Sequence, residues 1–205
     1  MQYNGVLCIV VPTYNRSKFL DYWFEYQIPI AKKHNVKIII SDNHSVDETR
    51  EIVQKHMANY PFIEYHCNDE NLGPDKNIEK ALKYADTDYV WLLGDTYVTA
   101  ENGINYVLDL ISKNDKKYDA IIVNCCKRID YLMETDYSDQ NQVLSNLGWH
   151  MTMLAVYIYN LKIIANGNCS RYYYTNFLQM GIFFEYISGT LEFIQHLLIS
   201  FGIGS

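Results

Sequence analysis

Tyr89-Val90-Trp91-Leu92-Leu93-Gly94-Asp95-Thr96-Tyr97-Val98 opens with five mostly apolar residues, stops at a glycine and follows it with a lone carboxylate, Asp95. A short unbroken apolar run bounded by a turn residue is the pattern of a strand buried on both faces, as in a parallel sheet. Such sheets bind ligands beyond the carboxyl ends of their strands, so Asp95 stands where the edge of a site is expected. Taken alone, Gly-Asp is equally an ordinary turn. The segments on either side decide between the two.

Upstream, residues 6–11 form an apolar strand that runs into Pro12-Thr13-Tyr14-Asn15-Arg16, after which Phe19, Leu20, Trp23 and Phe24 recur at helical spacing. Residues 36–41 make a second strand. It ends in the polar loop 42–49 and a helix with Ile52, Val53, His56 and Met57 on one face, capped by Ser45 or Asp47. A third strand is expected over 62–66, and the turn Asn71-Leu72-Gly73-Pro74 leads into a helix over 75–84 whose Ile78, Ala81, Leu82 and Ala85 face inward. Downstream of Asp95 come a helix over 102–112 and a fifth strand over 120–125. Strands alternating with helices at this spacing predict an α/β fold, a mostly parallel sheet with helices on both faces.

Beyond residue 127 the pattern changes. Residues 129–146 are polar and acidic without a clear period, an excursion or flap. Residues 149–159 read as a short helix turning into a strand, and 163–170 as a Gly/Asn-rich connection. Residues 172–201 read as a helical, aromatic-rich tail with Phe177, Met180, Phe184, Ile187, Leu191, Ile194 and Leu198 along one face. A division into 1–125 and 126–205 is therefore expected.

Composition excludes several classes. The 205 residues carry 17 Lys+Arg against 24 Asp+Glu, a net charge of -7 with no basic block, which argues against a nucleic-acid partner. Five cysteines without a Cys-x-x-Cys spacing suggest neither a disulfide framework nor a zinc site, and fit a reducing cytoplasm. The first apolar run has no cationic segment before it and reads as a strand rather than a signal peptide. No stretch approaches the ~20 apolar residues that span a bilayer.

Three strand ends carry polar groups: Thr13 and Asn15, then Asp42 and Asn43, then Asp95 and Thr96. Asx and Thr residues favour such positions as turn and cap formers, but three clusters together point to a pocket. There a carboxylate such as Asp42 accepts hydrogen bonds from a base N–H or a ribose.

Val10-Val11-Pro12-Thr13-Tyr14-Asn15-Arg16, Ser41-Asp42-Asn43 with Ser45 and Asp47, Asn71-Leu72-Gly73 with Lys76-Asn77, and Trp91-Leu92-Leu93-Gly94-Asp95 together resemble the family 2 glycosyltransferases of the GT-A fold, the kind found in bacterial capsule and surface-polysaccharide clusters. The resemblance covers roughly the first 125 residues. It implies a UDP-sugar donor, a saccharide or lipid-linked saccharide acceptor, and transfer with inversion. It also implies a divalent cation, Mn²⁺ or Mg²⁺, held at Asp95. Pro12, Thr13, Tyr14 and Asn15 would line the nucleoside pocket, Asp42 with Asn43 would hold the base, and Lys76 would lie near the donor.

The sequence departs from the family pattern in two places. Gly94-Asp95-Thr96-Tyr97 offers one acid where two or three are usual, and Tyr174-Thr175-Asn176 supplies none where relatives carry a general base. Glu185, Asp136 and Asp139 are the candidate bases, and His150 is a candidate acceptor contact. The tail suggests peripheral membrane contact at the inner face of the membrane, or a homo-oligomer. These departures keep open an alternative, a catalytically weak nucleotide-sugar-binding partner subunit.

Overall fold

A computed structural model describes residues 2–113, 118–126, 128–129, 135–189 and 194–201. Strands and helices alternate through the first part of the chain: β1 (Leu7–Thr13), α1 (Ser17–Lys32), β2 (Lys37–Asp42), α2 (Thr49–Met57), β3 (Ile63–Cys67), α3 (Pro74–Lys83), β4 (Tyr89–Leu92), α4 (Gly103–Lys113) and β5 (Ala120–Cys125). Then follow β6 (Thr135–Tyr137), α5 (Gln140–Leu147), β7 (Tyr157–Asn160), α6 (Leu161–Asn166), α7 (Leu178–Gly189) and β8 (Ile194–Phe201). Among the described residues these strands form one eight-stranded sheet in the order β3-β2-β1-β4-β7-β5-β8-β6.

β3, β2, β1 and β4 are mutually parallel, and β8 is parallel to β5. β7 runs antiparallel between β4 and β5, and β6 antiparallel on β8. The sheet is thus continuous across residue 125, with strands from either side of it as neighbours. β4 and β5 are buried along their whole length, as uninterrupted apolar runs require. Trp91 and Tyr157, both sealed in the core, bring polar atoms with them and satisfy them on main-chain carbonyls: Trp91 Nε1 donates to Ala155 O at 3.1 Å, and Tyr157 Oη donates to Met151 O at 2.5 Å. In α1, Leu20, Trp23, Phe24, Ile28 and Ala31 face the core, whereas Phe19 is 54 % exposed.

The expected polar excursion contains β6 and α5, whose first turn is capped by the Asp139 carboxylate accepting from Asn141 N. Within residues 149–159 two short 3-10 turns precede β7, and the expected Gly/Asn-rich connection begins as α6, capped by Asn160. The helical tail needs correction. Its helix stops at Gly189, and residues 194–201 form β8 on the edge of β5. Short apolar runs carry little information on helix against strand, and an open edge of β5 satisfies the backbone groups that a free helix would keep to itself.

The buried face of α7 is also rotated from expectation. Leu178, Gln179, Ile182, Phe183 and Ile187 are buried, while Phe177 is exposed and Met180 and Phe184 are half-buried. Packing of α7 against α3, α5 and α6 sets that face. Leu191 lies outside the described residues, and Ile194 and Leu198 belong to β8. Among the described residues no helix is long and apolar enough to cross a membrane.

Backbone chemical shifts of residues 194–201 are expected to be strand-like, with amides protected from exchange to a degree matching β5. Helical shifts over 190–201 would refute the sheet order given above.

Candidate functional site

The parallel register decides what meets beyond the strand ends. Thr13 is opposite Asp42 across β1 and β2, and Val10 is opposite Leu92 across β1 and β4. Three residues further along both chains, Thr13 faces Asp95, and Thr13 Oγ1 donates to Asp95 Oδ2 at 2.9 Å. The other carboxylate oxygen lies 3.0 Å from Arg16 Nε, an ion pair by distance without the alignment of a hydrogen bond. The Arg16 guanidinium carbon sits 4.2 Å over the Phe19 ring, so it is held between the carboxylate and an aromatic face. Its two terminal nitrogens have no protein partner among the described residues. Burial pushes the Asp95 carboxyl above its ordinary range, against the opposite pull of the Thr13 hydroxyl and the Arg16 charge.

Asp95 and Thr96 stand between two cavities. A cleft of about 440 Å³ is lined by Pro12, Thr13, Tyr14, Asn43, Asn71 and Asp95, with Arg16, Tyr97 and Leu154 completing its wall. A groove of about 770 Å³ runs away on the other side, lined chiefly by Phe19, Tyr22, Trp23, Tyr26, Ile30 and Val98. The groove is apolar because α1 presents Phe19, Tyr22 and Tyr26 outward at helical spacing, each between 44 and 54 % exposed.

A framework of side-chain amides fixes the cleft floor. Asn43 Oδ1 accepts from Leu72 N at 2.9 Å and Asn68 Nδ2 at 3.1 Å, and its Nδ2 donates to Asn71 Oδ1 at 2.8 Å. Asn77 Oδ1 accepts from Ser41 Oγ and Asn68 Nδ2, and its Nδ2 donates to Ser41 O at 2.9 Å. Buried amides in such a network hold each other rigid because an unmet donor or acceptor there costs roughly 1–3 kcal/mol. Gly73, at φ 80°, makes the left-handed turn that starts α3.

The loop carrying Thr13 and Tyr14 is fastened just as locally. Asn15 N donates to Ser45 Oγ at 2.8 Å, and Asn15 Oδ1 accepts from Val46 N at 2.8 Å. Asp47, one residue ahead of the Glu48 cap position of α2, accepts from Thr49 N and at the same time from Ser17 N at the start of α1. Hydrogen bonding to both helix ends holds its carboxyl below the usual range, although burial acts first and in the opposite direction.

Pro12, Thr13, Tyr14, Asn43 and Asp95 therefore share one cleft, while Asn15 braces its wall from behind. Asp42 is on the same rim, but it is 1 % exposed and turned away: its carboxylate accepts from Ser45 N at 2.9 Å and Tyr65 Oη at 2.6 Å, tying β2 to β3. Lys76 is one pocket over, its ammonium 5.3 and 5.7 Å from the ring centres of Tyr173 and Tyr174.

His150 lines neither the cleft nor the groove. It is fully buried, donates from Nε2 to Val123 O at 2.9 Å, and burial pushes its pKa below the ordinary histidine value. Glu185 pairs with Arg171 at 2.8 Å, Asp139 is a helix cap, and Asp136 lies in β6 paired with Gln195. None of these three carboxylates lines the cleft or the groove.

A divalent cation does not fit the residues present. Asp95 is the one acid lining the cleft among the described residues, both its oxygens are engaged, and a guanidinium stands where a cation would approach. The described residues contain no group of three or more His, Cys, Asp or Glu able to hold a metal. Arg16 is the residue that sequence reasoning quoted without assigning. Its place follows from the register that brings Asp95 to Thr13, which is not a local signal.

The sequence profile of the family described as Glycosyl transferase family 2 matches residues 8–178. The chain is 35 % identical over 102 residues to the abequosyltransferase RfbV of Salmonella typhimurium, covering 48 % of this chain and 30 % of that protein. It is 28 % identical over 120 residues to a GalNAc(5)-diNAcBac-PP-undecaprenol beta-1,3-glucosyltransferase of Campylobacter jejuni, covering 58 % of this chain and 38 % of that protein. It thus spans about a third of the length of these two relatives. In fold it is similar to glucosyl-3-phosphoglycerate synthase from Mycobacterium tuberculosis in complex with Mn²⁺, UDP and phosphoglyceric acid, with a TM-score of 0.65, 10 % identity, and coverage of 98 % of this chain and 72 % of that one.

Because the folded-state pKa of His150 lies below the unfolded value of about 6.5, the unfolded chain binds the extra proton, and stability falls as pH drops below that value. Urea midpoints measured from pH 7 to pH 5 are expected to decline, with a shallower decline in His150→Gln. Equal slopes in the two proteins would remove His150 as a source of the effect.

Proposed function

The chain belongs to glycosyl transferase family 2 and has the GT-A fold, and from that premise we propose that it transfers a sugar from a UDP-sugar to a lipid-linked saccharide acceptor, with inversion. The observation that carries this reading is the junction of Thr13, Arg16 and Asp95, where a cleft walled by the side chains of Thr13, Asn43, Asn71 and Asp95 and an aromatic groove meet at one carboxylate. The nucleoside lies in the cleft. Tyr14, 42 % exposed, gives a ring face to the base, and Asn71 Nδ2, without a protein partner among the described residues, gives a donor to its carbonyl oxygen.

The pyrophosphate meets the free terminal nitrogens of Arg16, whose planar fork suits bidentate contact with phosphate oxygens. In the transfer the bond between sugar C1 and the β-phosphate oxygen breaks with its electron pair remaining on that oxygen. The acceptor hydroxyl oxygen bonds to C1 from the opposite face and yields its proton to a base. Arg16 then faces the oxygen on which negative charge grows. No step is derived through a metal.

The acceptor approaches from the groove side. A lipid-linked saccharide suits an apolar trough that ends at the reacting centre, and the Campylobacter relative is named for an undecaprenol-linked substrate. That assignment also places the protein peripherally at a membrane surface.

Titration calorimetry with UDP is expected to show binding that EDTA leaves within about threefold and that Arg16→Ala weakens about tenfold. Loss of UDP binding in EDTA would restore the cation and overturn the role given to Arg16. UDP release from a panel of UDP-sugars, present in the wild type and absent in Asp95→Ala, supports the transferase. Donor binding without turnover in the wild type supports a nucleotide-sugar-binding partner subunit instead.

A further inference from the structure

β5 ends on two adjacent cysteines of opposite exposure: Cys125, the last residue of the strand, is buried, and Cys126 is exposed. In a continuing strand successive side chains point to opposite faces, which would hold the two thiols apart. Cys126 instead takes φ 56°, a left-handed conformation that side chains larger than glycine rarely adopt. The chain turns there, and Arg128 N donates back to Cys125 O at 3.3 Å. Cys126 Sγ is thereby brought to 3.5 Å from Cys125 Sγ, one thiol donating to the other. Neither cysteine lines the cleft, but Tyr97 does, and its phenol is close enough to both thiols for their charge to bear on it.

We infer that Cys125 and Cys126 form a dithiol site for trivalent arsenic, which bonds to both sulfurs in one chelate ring. The separation of the sulfurs selects that ligand class. A disulfide bond is about 2.05 Å long and joins residues whose Cα atoms are at least about 4.4 Å apart, whereas adjacent Cα atoms are only about 3.8 Å apart. Direct oxidation of the pair must therefore draw the sulfurs together against the chain. A bridging atom meets no such obstacle. With bonds of about 2.3 Å, the length of a zinc–thiolate bond, two sulfurs 3.5 Å apart subtend about 100° at the atom between them.

That angle suits the pyramidal bonding of trivalent arsenic, which carries its own third substituent. Two-coordinate copper(I) sets its sulfurs on opposite sides. A tetrahedral zinc ion needs further ligands, and the described residues contain no group of three or more His, Cys, Asp or Glu to supply them. Protonation separates the candidates again. Burial pushes the Cys125 thiol upward and the Cys126 contact acts the same way, so Cys125 is held as neutral S–H, whereas a metal cation binds thiolates. An arsenic(III)–oxygen group condenses with neutral thiols. With phenylarsine oxide each S–H proton passes to the arsenic-bound oxygen, two As–S bonds replace the bonding of arsenic to that oxygen, and one water leaves. Arsenic stays trivalent and no electrons are transferred. Exposed Cys126 reacts first, and Cys125, already beside it, closes the ring.

Intact-protein mass spectrometry and calorimetry with phenylarsine oxide test the site. The wild type is expected to gain one phenylarsenic group with loss of one water, and to keep it in excess mercaptoethanol but yield it to dithiothreitol. Cys126→Ser keeps the size of an exposed side chain and Cys126→Gly suits the left-handed backbone, so both are expected to retain the wild-type melting temperature. Each loses at least about a hundredfold in affinity for phenylarsine oxide, because the second bond is no longer intramolecular. Cys67→Ser, which removes a half-buried thiol on β3, binds as the wild type does. Wild-type affinity in either Cys126 variant overturns the inference, as does an adduct that mercaptoethanol strips from the wild type. A wild-type product that has lost two hydrogens without gaining arsenic assigns the pair to a disulfide and overturns it equally.

Discussion

The hydrogen bond from Thr13 to Asp95 joins residues 82 positions apart, and the geometry of the site depends on it. It exists because β1 and β4 are adjacent and parallel, with Val10 opposite Leu92, so equal steps past the two strand ends bring the hydroxyl to the carboxylate. A slip of one residue would reverse which face each side chain meets and separate the pair. The core prevents that slip, since β1 and β4 are almost entirely buried and have no polar face to exchange. Packing of apolar strands is thus what places a polar contact to within a hydrogen-bond length.

Beyond the strands, the loops hold position through side-chain amides and short caps rather than through burial. Asn43, Asn68 and Asn77 bridge the ends of β1, β2 and β3 and the turn before α3, while Asn15 and Ser45 lock two loops to each other. A loop fastened this way cannot relax far when a ligand enters, which favours binding by lowering the ordering cost. Asp42 belongs to this framework. Its position on the rim matched a ligand-holding role, but its oxygens face Ser45 and Tyr65 and serve the junction of β2 with β3.

The sequence made the first five strands and four helices legible because their apolar periods are strong and turn residues separate them. It also made legible the residues that gather at the cleft, since each follows a strand directly. What it could not show depends on contacts between distant segments. His150 looks like a free histidine beside Trp149, and only the fold of β5 over it turns its ring into the donor to Val123. Residues 194–201 carry a pattern that suits helix or strand, and the edge of β5 decides. Asp75 reads as the first-turn acid of a helix, and nothing nearby in the chain announces that Asn176, 101 residues away, will meet one of its oxygens and leave the other bare.

The ion pair at the centre of the cleft raises a question of charge. Arg16 and an ionised Asp95 nearly cancel, and a chain of net charge -7 does not attract a pyrophosphate over long range. On the proposed reading attraction must then be local, at Arg16 itself. A guanidinium stays charged, and this one is fixed over the Phe19 ring with its terminal nitrogens unpaired among the described residues. Burial pushes the Asp95 carboxyl upward while the Thr13 hydroxyl and the Arg16 charge pull it down, so the depth at which Asp95 lies shapes the pair as much as its identity does.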